Sequence, residues 1–197
     1  MFPIFLKLAS RRCLVVGAGT VAAGKISGLL AEHASVRVVA PEAVDQIKDW
    51  ASAGALQFEQ RSFESKDLDG VFLVIAATSS PEVNTRVFTG AREKGVLCNA
   101  VDDPANCDFY YGAVVNRGDL QIAISTNGHS PALAQRIRRE LEQQFGPAYQ
   151  PWVAELGKQR KEVFAANLDP EVRKRILHEL ASGPSFDAYE TAEGGND

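Results

Sequence analysis

The chain has 197 residues, 45% of them apolar and 23% charged, which is the composition of a soluble globular protein with one full domain and a smaller appendage. A net charge of −4 argues against a general nucleic-acid or membrane-surface partner. It leaves room for a small anionic substrate, because a pocket needs only a few local arginines.

Near the start, Cys13-Leu14-Val15-Val16 is an uncharged apolar run that suits a strand buried on both faces. It ends in Gly17-Ala18-Gly19-Thr20-Val21-Ala22, the G-x-G-x-x-A form of the dinucleotide fingerprint. Gly17 suits the positive φ of a tight turn, Gly19 lets the backbone approach a pyrophosphate, and Ala22 lets the new helix press on the strand. The helix pattern runs from Val21 to Leu30. A second strand, Ser35 to Ala40, stops at Pro41, and a helix is expected over 42–53 up to Gly54. Leu56 to Gln60 alternates like a strand nearer an edge. Val71 to Ala77 is the longest apolar run and reads as a central strand. Thr78-Ser79-Ser80-Pro81 opens a helix that lasts to Gly95, and Val96 to Asn99 is a fifth strand. Strands alternating with helices predict a Rossmann-type parallel sheet in an α/β fold.

The pattern changes near residue 108. Phe109 to Val115 and Leu120 to Ser125 read as a hairpin around Asn116-Arg117-Gly118-Asp119. Ser130-Pro131 then begins a helix with Leu133, Ile137, Leu141 and Phe145 on one face. Helices are expected over 148–166 and 170–181, and the Gly-, Ser- and acid-rich residues 183–197 predict a disordered tail. Cys13, Cys98 and Cys107 are odd in number and lack C-x-x-C spacing, so a reducing compartment fits better than a disulfide framework. Pro3 interrupts the short apolar start, and no run has transmembrane length. The expected location is the cytoplasm.

Three polar segments leave the carboxyl ends of the predicted parallel strands, where the ligand crevice of such a sheet lies. They are Gly17 to Val21, Thr78 to Ser80 and Asn99 to Asp103. Gly17, Gly19 and Thr78 are thus candidate cofactor contacts. Glu42, 25 residues after Gly17, stands near where a ribose-binding acid is expected. No arginine at 40–43 awaits a 2′-phosphate, so NAD is favoured over NADP. Asp102 and Asp103 are neighbours that point different ways, so at most one faces a bound ligand; the alternative is a solvated turn or an N-cap before Pro104. His33, His129 and His178 have no metal-ligand spacing, and no metal site is expected. In the second half, Asn127, Gly128, His129 and Ser130 form a loop before a helix carrying Arg136. These five are candidate substrate contacts, set against a solvated loop histidine and a solvated helix face.

Several motifs occur in order: Pro3-Ile4-Phe5-Leu6, the fingerprint with Lys25, Val38-Val39-Ala40-Pro41-Glu42, Ile75-Ala76-Ala77-Thr78, Cys98-Asn99-Ala100-Val101-Asp102, Asp108-Phe109, and Ser125-Thr126-Asn127-Gly128-His129-Ser130-Pro131-Ala132-Leu133-Ala134. Over residues 2–145 the chain resembles the precorrin-2 dehydrogenase family, the dehydrogenase/chelatase module of siroheme synthases. Ala18 stands at the middle of what is often a triple glycine, Gly24 where an arginine usually precedes the lysine, and His129 where a small hydroxyl residue is common.

The resemblance implies NAD-dependent oxidation of precorrin-2 to sirohydrochlorin, on the way to siroheme or cobalamin, and in some members insertion of iron or cobalt. It places cofactor contacts on Thr20, Val21, Pro41 and Glu42 and the catalytic acid/base on Asp102. It implies a homodimer, and no fused methyltransferase domain is expected within these residues. The resulting division is an NAD-binding domain over 1–112, a dimerisation segment over 113–146, a helical segment over 147–182, and the tail. A dimeric NAD-sensing module without turnover is the competing expectation, and a small hydroxyacid dehydrogenase ranks below it for want of a well-placed histidine.

Overall fold

A computed structural model describes residues 1–194. The chain forms two compact units, Met1–Tyr110 and a second beginning at Tyr111.

In the first unit, β1 (Arg12–Val16), β2 (Ser35–Ala40), β3 (Gln57–Gln60), β4 (Leu73–Ala76) and β5 (Leu97–Ala100) build one sheet in the order β3-β2-β1-β4-β5. Every pairing is parallel, as the alternating pattern predicts. The helices α1 (Thr20–Ala31), α2 (Asp45–Ser52) and α3 (Pro81–Glu93) make the crossovers, and a 3-10 turn at Ser65–Leu68 leads into β4. Because side chains alternate along a strand, one apolar run feeds two cores. Cys13 and Val15 join Ala22, Ala23, Ile26 and Ile47 in one of them. Leu14 and Val16 join Leu68, Val87 and Ala91 in the other. Each fully buried Leu, Ile or Val is worth about 1.5–3 kcal/mol, so this double cover anchors β1 as firmly as β4, whose Leu73, Val74 and Ile75 are equally buried.

The outer edge of the sheet is held by charge. Asp67, 1% exposed, accepts from both terminal nitrogens of Arg61 (2.6 and 2.8 Å) and from the Glu64 amide (2.9 Å), while Arg37 on β2 bridges Glu59 on β3 and Asp67.

In the second unit, β6 (Ala113–Arg117) and β7 (Leu120–Ile124) pair antiparallel around Gly118-Asp119, with Gly118 at φ +63°. This turn is two residues long, inside the four-residue signal in the sequence. Residues 109–112, expected as strand, precede β6; here the Phe109 carbonyl accepts from Asn99 Nδ2. α4 (Pro131–Gln144), α5 (Tyr149–Ala165) and α6 (Pro170–Leu180) follow. The expectation of a disordered tail is corrected over most of its length, because Gly183–Gly194 is a seventh helix, α7. Phe186 in that stretch stacks on Tyr149 at 4.3 Å and meets Trp152 at 4.8 Å between ring centroids, and Ser185 Oγ donates to the Glu179 carbonyl. The end of the expected tail, 195–197, lies outside the described residues.

Candidate functional site

The fingerprint lies where strand order reverses between β1 and β4. Gly17 takes φ +104°, and a Cβ there would meet the Ala77 carbonyl oxygen at 2.3 Å. Its amide donates to Val39 (2.9 Å), and Val44 donates to Ala18 (3.0 Å), so the turn is tied to the loop that carries Pro41 and Glu42. Gly19 is different. Its φ is −85°, and a Cβ would find nothing within 4 Å. Gly19 caps α1 without a side chain, and Thr20 and Val21 in the first turn are exposed, so their amides stand at the positive end of the helix dipole with no side chain closing it, while Ala22 is buried against the strand. α3 and α4 are instead closed by Ser80 and Ser130 hydroxyls. Val21 is 55% exposed despite being apolar, a flat surface at the mouth of this cradle. An anion with ring systems on either side fits these residues.

The neighbouring segments behave differently from one another. Thr78 donates its hydroxyl to Asn84 Oδ1 (2.7 Å), and the same oxygen accepts the Thr78 amide at 3.2 Å. Asn84, buried on α3, returns a bond to the Thr78 carbonyl (3.2 Å), so Thr78 shapes the rim of the crevice through a side chain below it. Sequence reading missed Asn84; its signal is a polar residue at an inward position of a helix.

After β5 the chain turns sharply. Asp102 has φ +60°, a left-handed conformation that costs a residue with a Cβ of order 1 kcal/mol and concentrates at functional sites. Asp102 is exposed, whereas the Asp103 carboxylate accepts from Asn106 Nδ2 at 2.6 Å. The pair therefore divides, with Asp103 closing the 3-10 turn at Pro104–Asn106 and Asp102 standing out of it. Burial lowers the Lys25 pKa while the Asp102 carboxylate pushes it up, which marks α1 and this turn as electrostatic neighbours.

The structure thus brings Gly17, Gly19, Thr20, Val21, Pro41, Glu42, Thr78 and Asp102 to the carboxyl edge of one sheet. In the second unit, Asn127 (φ +53°) and Gly128 (φ +80°) form a left-handed turn before α4, His129 is exposed, and Ser130 Oγ accepts from the Leu133 amide. Arg136, a candidate substrate contact from the sequence, pairs with Glu140 (3.3 Å), one turn further along the exposed face of α4. A cavity of about 340 Å³ lies elsewhere, at the amino ends of β1, β2 and β3, where Arg37 pairs with Glu59 and Lys66 with Glu64. Among the described residues, no group of three or more His, Cys, Asp or Glu could hold a metal ion, and no helix is long and apolar enough to cross a membrane.

A parallel sheet of this order, with an uncapped helix N-terminus behind a glycine turn at its switch point, defines a dinucleotide-binding α/β protein. The family described as "Putative NAD(P)-binding" matches residues 4–113, more than half of the chain, and the chain belongs to it. Residues 117–144 match a second family, "Sirohaem biosynthesis protein central". The siroheme synthase of Nitrosococcus oceani is 38% identical over 174 residues, covering 88% of this chain and 35% of that protein. That of Chromobacterium violaceum is 38% identical over 188 residues, covering 95% of this chain and 40% of the relative. The chain thus spans little more than a third of the length of these curated relatives. The solved structure "SirC, precorrin-2 dehydrogenase" superposes with a TM-score of 0.80 at 28% identity, covering 98% of both chains.

Proposed function

We propose that this chain is an NAD-dependent dehydrogenase that oxidises precorrin-2 to sirohydrochlorin. The observation that carries this reading is the strained, outward-facing Asp102 at the carboxyl end of β5, on the edge that also holds the open α1 N-terminus. The likeness to a solved precorrin-2 dehydrogenase across 98% of the chain, and to siroheme synthases, supports the substrate.

The oxidation removes one hydride and one proton from the macrocycle. NAD, when bound, supplies the hydride acceptor. The amides at Thr20 and Val21 hold its pyrophosphate, and Pro41 and Glu42 at the end of β2 flank the ribose, with no arginine there for a 2′-phosphate. Asp102 takes the proton. Its carboxylate is an acceptor held outside the turn, with the Lys25 charge beside it, while Asp103 is occupied with Asn106. The protein acts in the cytoplasm as a homodimer formed through the second unit. There Ala113, Val115 and Ala134 are the buried apolar residues among those described, while Tyr111, Val114, Leu133 and Phe164 lie exposed.

The test is an absorbance assay of precorrin-2 with NAD. Asp102→Asn keeps the side-chain shape and removes the base, so turnover should fall by a factor of about 10² to 10⁴ with NAD affinity unchanged. Asp103→Asn should stay within a few-fold. An Asp102→Asn enzyme with undiminished turnover overturns the assignment, and NAD binding without any oxidation by the unaltered protein selects the sensing module.

A further inference from the structure

The left-handed turn at Asp102 is closed by the Asp103 amide donating to the Ala100 carbonyl (3.2 Å), and a side chain reaches the same turn. The Cys107 Sγ lies 3.1 Å from the Ala100 carbonyl oxygen and 3.2 Å from that of Asp103, the acceptors that bracket the turn. Asn99 Nδ2 donates to the same sulfur at 3.3 Å and to the Phe109 carbonyl at 2.8 Å, and Asn99 and Cys107 face each other in an isolated antiparallel bridge. The same two carbonyls accept backbone bonds from the Asp103 amide (3.2 Å) and the Asn106 amide (3.1 Å), so the thiol adds a side-chain tie to a turn whose backbone bonds run through the same two acceptors.

We propose that Cys107 is a positioning residue for Asp102, its single S–H shared between the Ala100 and Asp103 carbonyls that bracket the turn and so helping to set the direction of the Asp102 carboxylate. This rests on the reading of Asp102 as the proton acceptor. Burial pushes the Cys107 thiol's pKa up, with the Asp103 and Asp108 carboxylates adding to that, so the proton stays on sulfur at neutral pH and is available to donate. Alanine leaves both carbonyls without this donor, whereas serine restores an O–H at nearly the same place.

The experiment is a set of four full-length variants assayed with precorrin-2 and NAD: Cys107→Ala, Cys107→Ser, Asp102→Asn, and Asp102→Asn combined with Cys107→Ala. Misdirecting a reacting group by a fraction of an ångström to an ångström costs about 10- to 100-fold in rate. Cys107→Ala should lose kcat by that factor, with the dissociation constant for NAD within two-fold of the parent, and Cys107→Ser should recover to within about three-fold. In the Asp102→Asn background, Cys107→Ala should add no further loss, because the residue it positions is already disabled. A Cys107→Ala enzyme with parental kcat, or one whose loss multiplies with that of Asp102→Asn, overturns the proposal. Asp102→Asn measured alone tells the two readings apart: full activity there removes the assignment of Asp102 itself.

If Cys107→Ala fails to fold, the unaltered protein serves with methyl methanethiosulfonate. Cys13 and Cys98 are buried and Cys107 is half-buried, so the reagent, applied at alkaline pH where part of the thiol ionises, should place one methylthio group, at Cys107, with release of methanesulfinate. Turnover should fall while NAD binding persists, and dithiothreitol should restore it. Full turnover by the singly modified protein overturns the proposal.

Discussion

Gly17 and Gly19 are two residues apart in one motif, yet the structure asks different things of them. Gly17→Ala drives a Cβ into the Ala77 carbonyl at a positive φ and should destabilise the fold by about 2–4 kcal/mol, seen as a lower denaturation midpoint. Gly19→Asp has open space and an ordinary φ, so its midpoint should barely move. Its carboxylate would instead sit on the cradle for the pyrophosphate, and calorimetry should find no NAD binding. Normal NAD affinity in Gly19→Asp would remove the phosphate loop from the site. Both roles can be read from the spacing of the glycines, because their demands are local backbone demands. The division of labour between Asp102 and Asp103 is half legible: neighbours point apart, but only the Asn106 amide decides which of them is tied down. Asn84 and Cys107 were not legible as site residues at all. Their partners, Thr78 for one and Ala100 and Asp103 for the other, are brought to them by folding of the chain around a loop.

Elements were legible where apolar continuity met a turn signal. The strands of the parallel sheet lie within a residue or two of the ends read from the sequence, because the buried interiors of β1, β4 and β5 leave no position for a charge and the edge strand β3 shows alternation instead. Arg37 is the exception inside β2, and the structure explains it by the ionic staple to Glu59 on β3 and to Asp67 beyond it. Burial would raise the Asp67 pKa, but hydrogen bonds from Arg61 and the Glu64 amide, with the charges of Arg61 and Arg37, outweigh it and hold it below its ordinary value. A carboxylate depressed in the folded state adds stability above its unfolded pKa of about 3.9 and loses it as pH falls through the folded value. Denaturation midpoints of the parent should therefore decline below about pH 4, and Asp67→Asn should flatten that decline while costing about 2–3 kcal/mol at pH 7. An Asp67→Asn protein with the parental midpoint at pH 7 would show the staple to be idle. α7 was misjudged because composition averages over a stretch, whereas one aromatic, Phe186, is enough to seat it on Tyr149 and Trp152.

At the scale of the molecule the two units are unequal. Both large hydrophobic clusters belong to Met1–Tyr110. The second unit keeps Val114 43% exposed and Leu133 38% exposed. Alternation along the hairpin and the helical spacing of α4 were plain in the sequence, but the extent to which this unit leaves apolar surface uncovered appears only once its contacts are drawn. If a second copy covers that surface, sedimentation at micromolar concentration should give a dimer, and Val114→Glu with Leu133→Glu should give a monomer that still binds NAD. A monomeric parent protein would count against the assembly.

The chain has two tryptophans, Trp50 on α2 and Trp152 on α5, one in each unit. Folding can therefore be timed separately in the two halves, with Trp152→Phe leaving the first as reporter and Trp50→Phe the second. A core complete within one chain reaches its final fluorescence at a rate independent of dilution, while surface that waits for another copy is completed in a bimolecular phase. The Trp50 signal should thus be first-order, and the Trp152 signal should include a phase that slows in proportion as the protein is diluted. During synthesis the first 110 residues emerge ahead of the rest. The nucleotide cradle would then be formed on a nascent chain before its second half has folded, so NAD itself can act as an early folding ligand. Refolding with and without NAD tests this: the cofactor should raise the yield of the Trp50 step and leave the order of the Trp152 step unchanged.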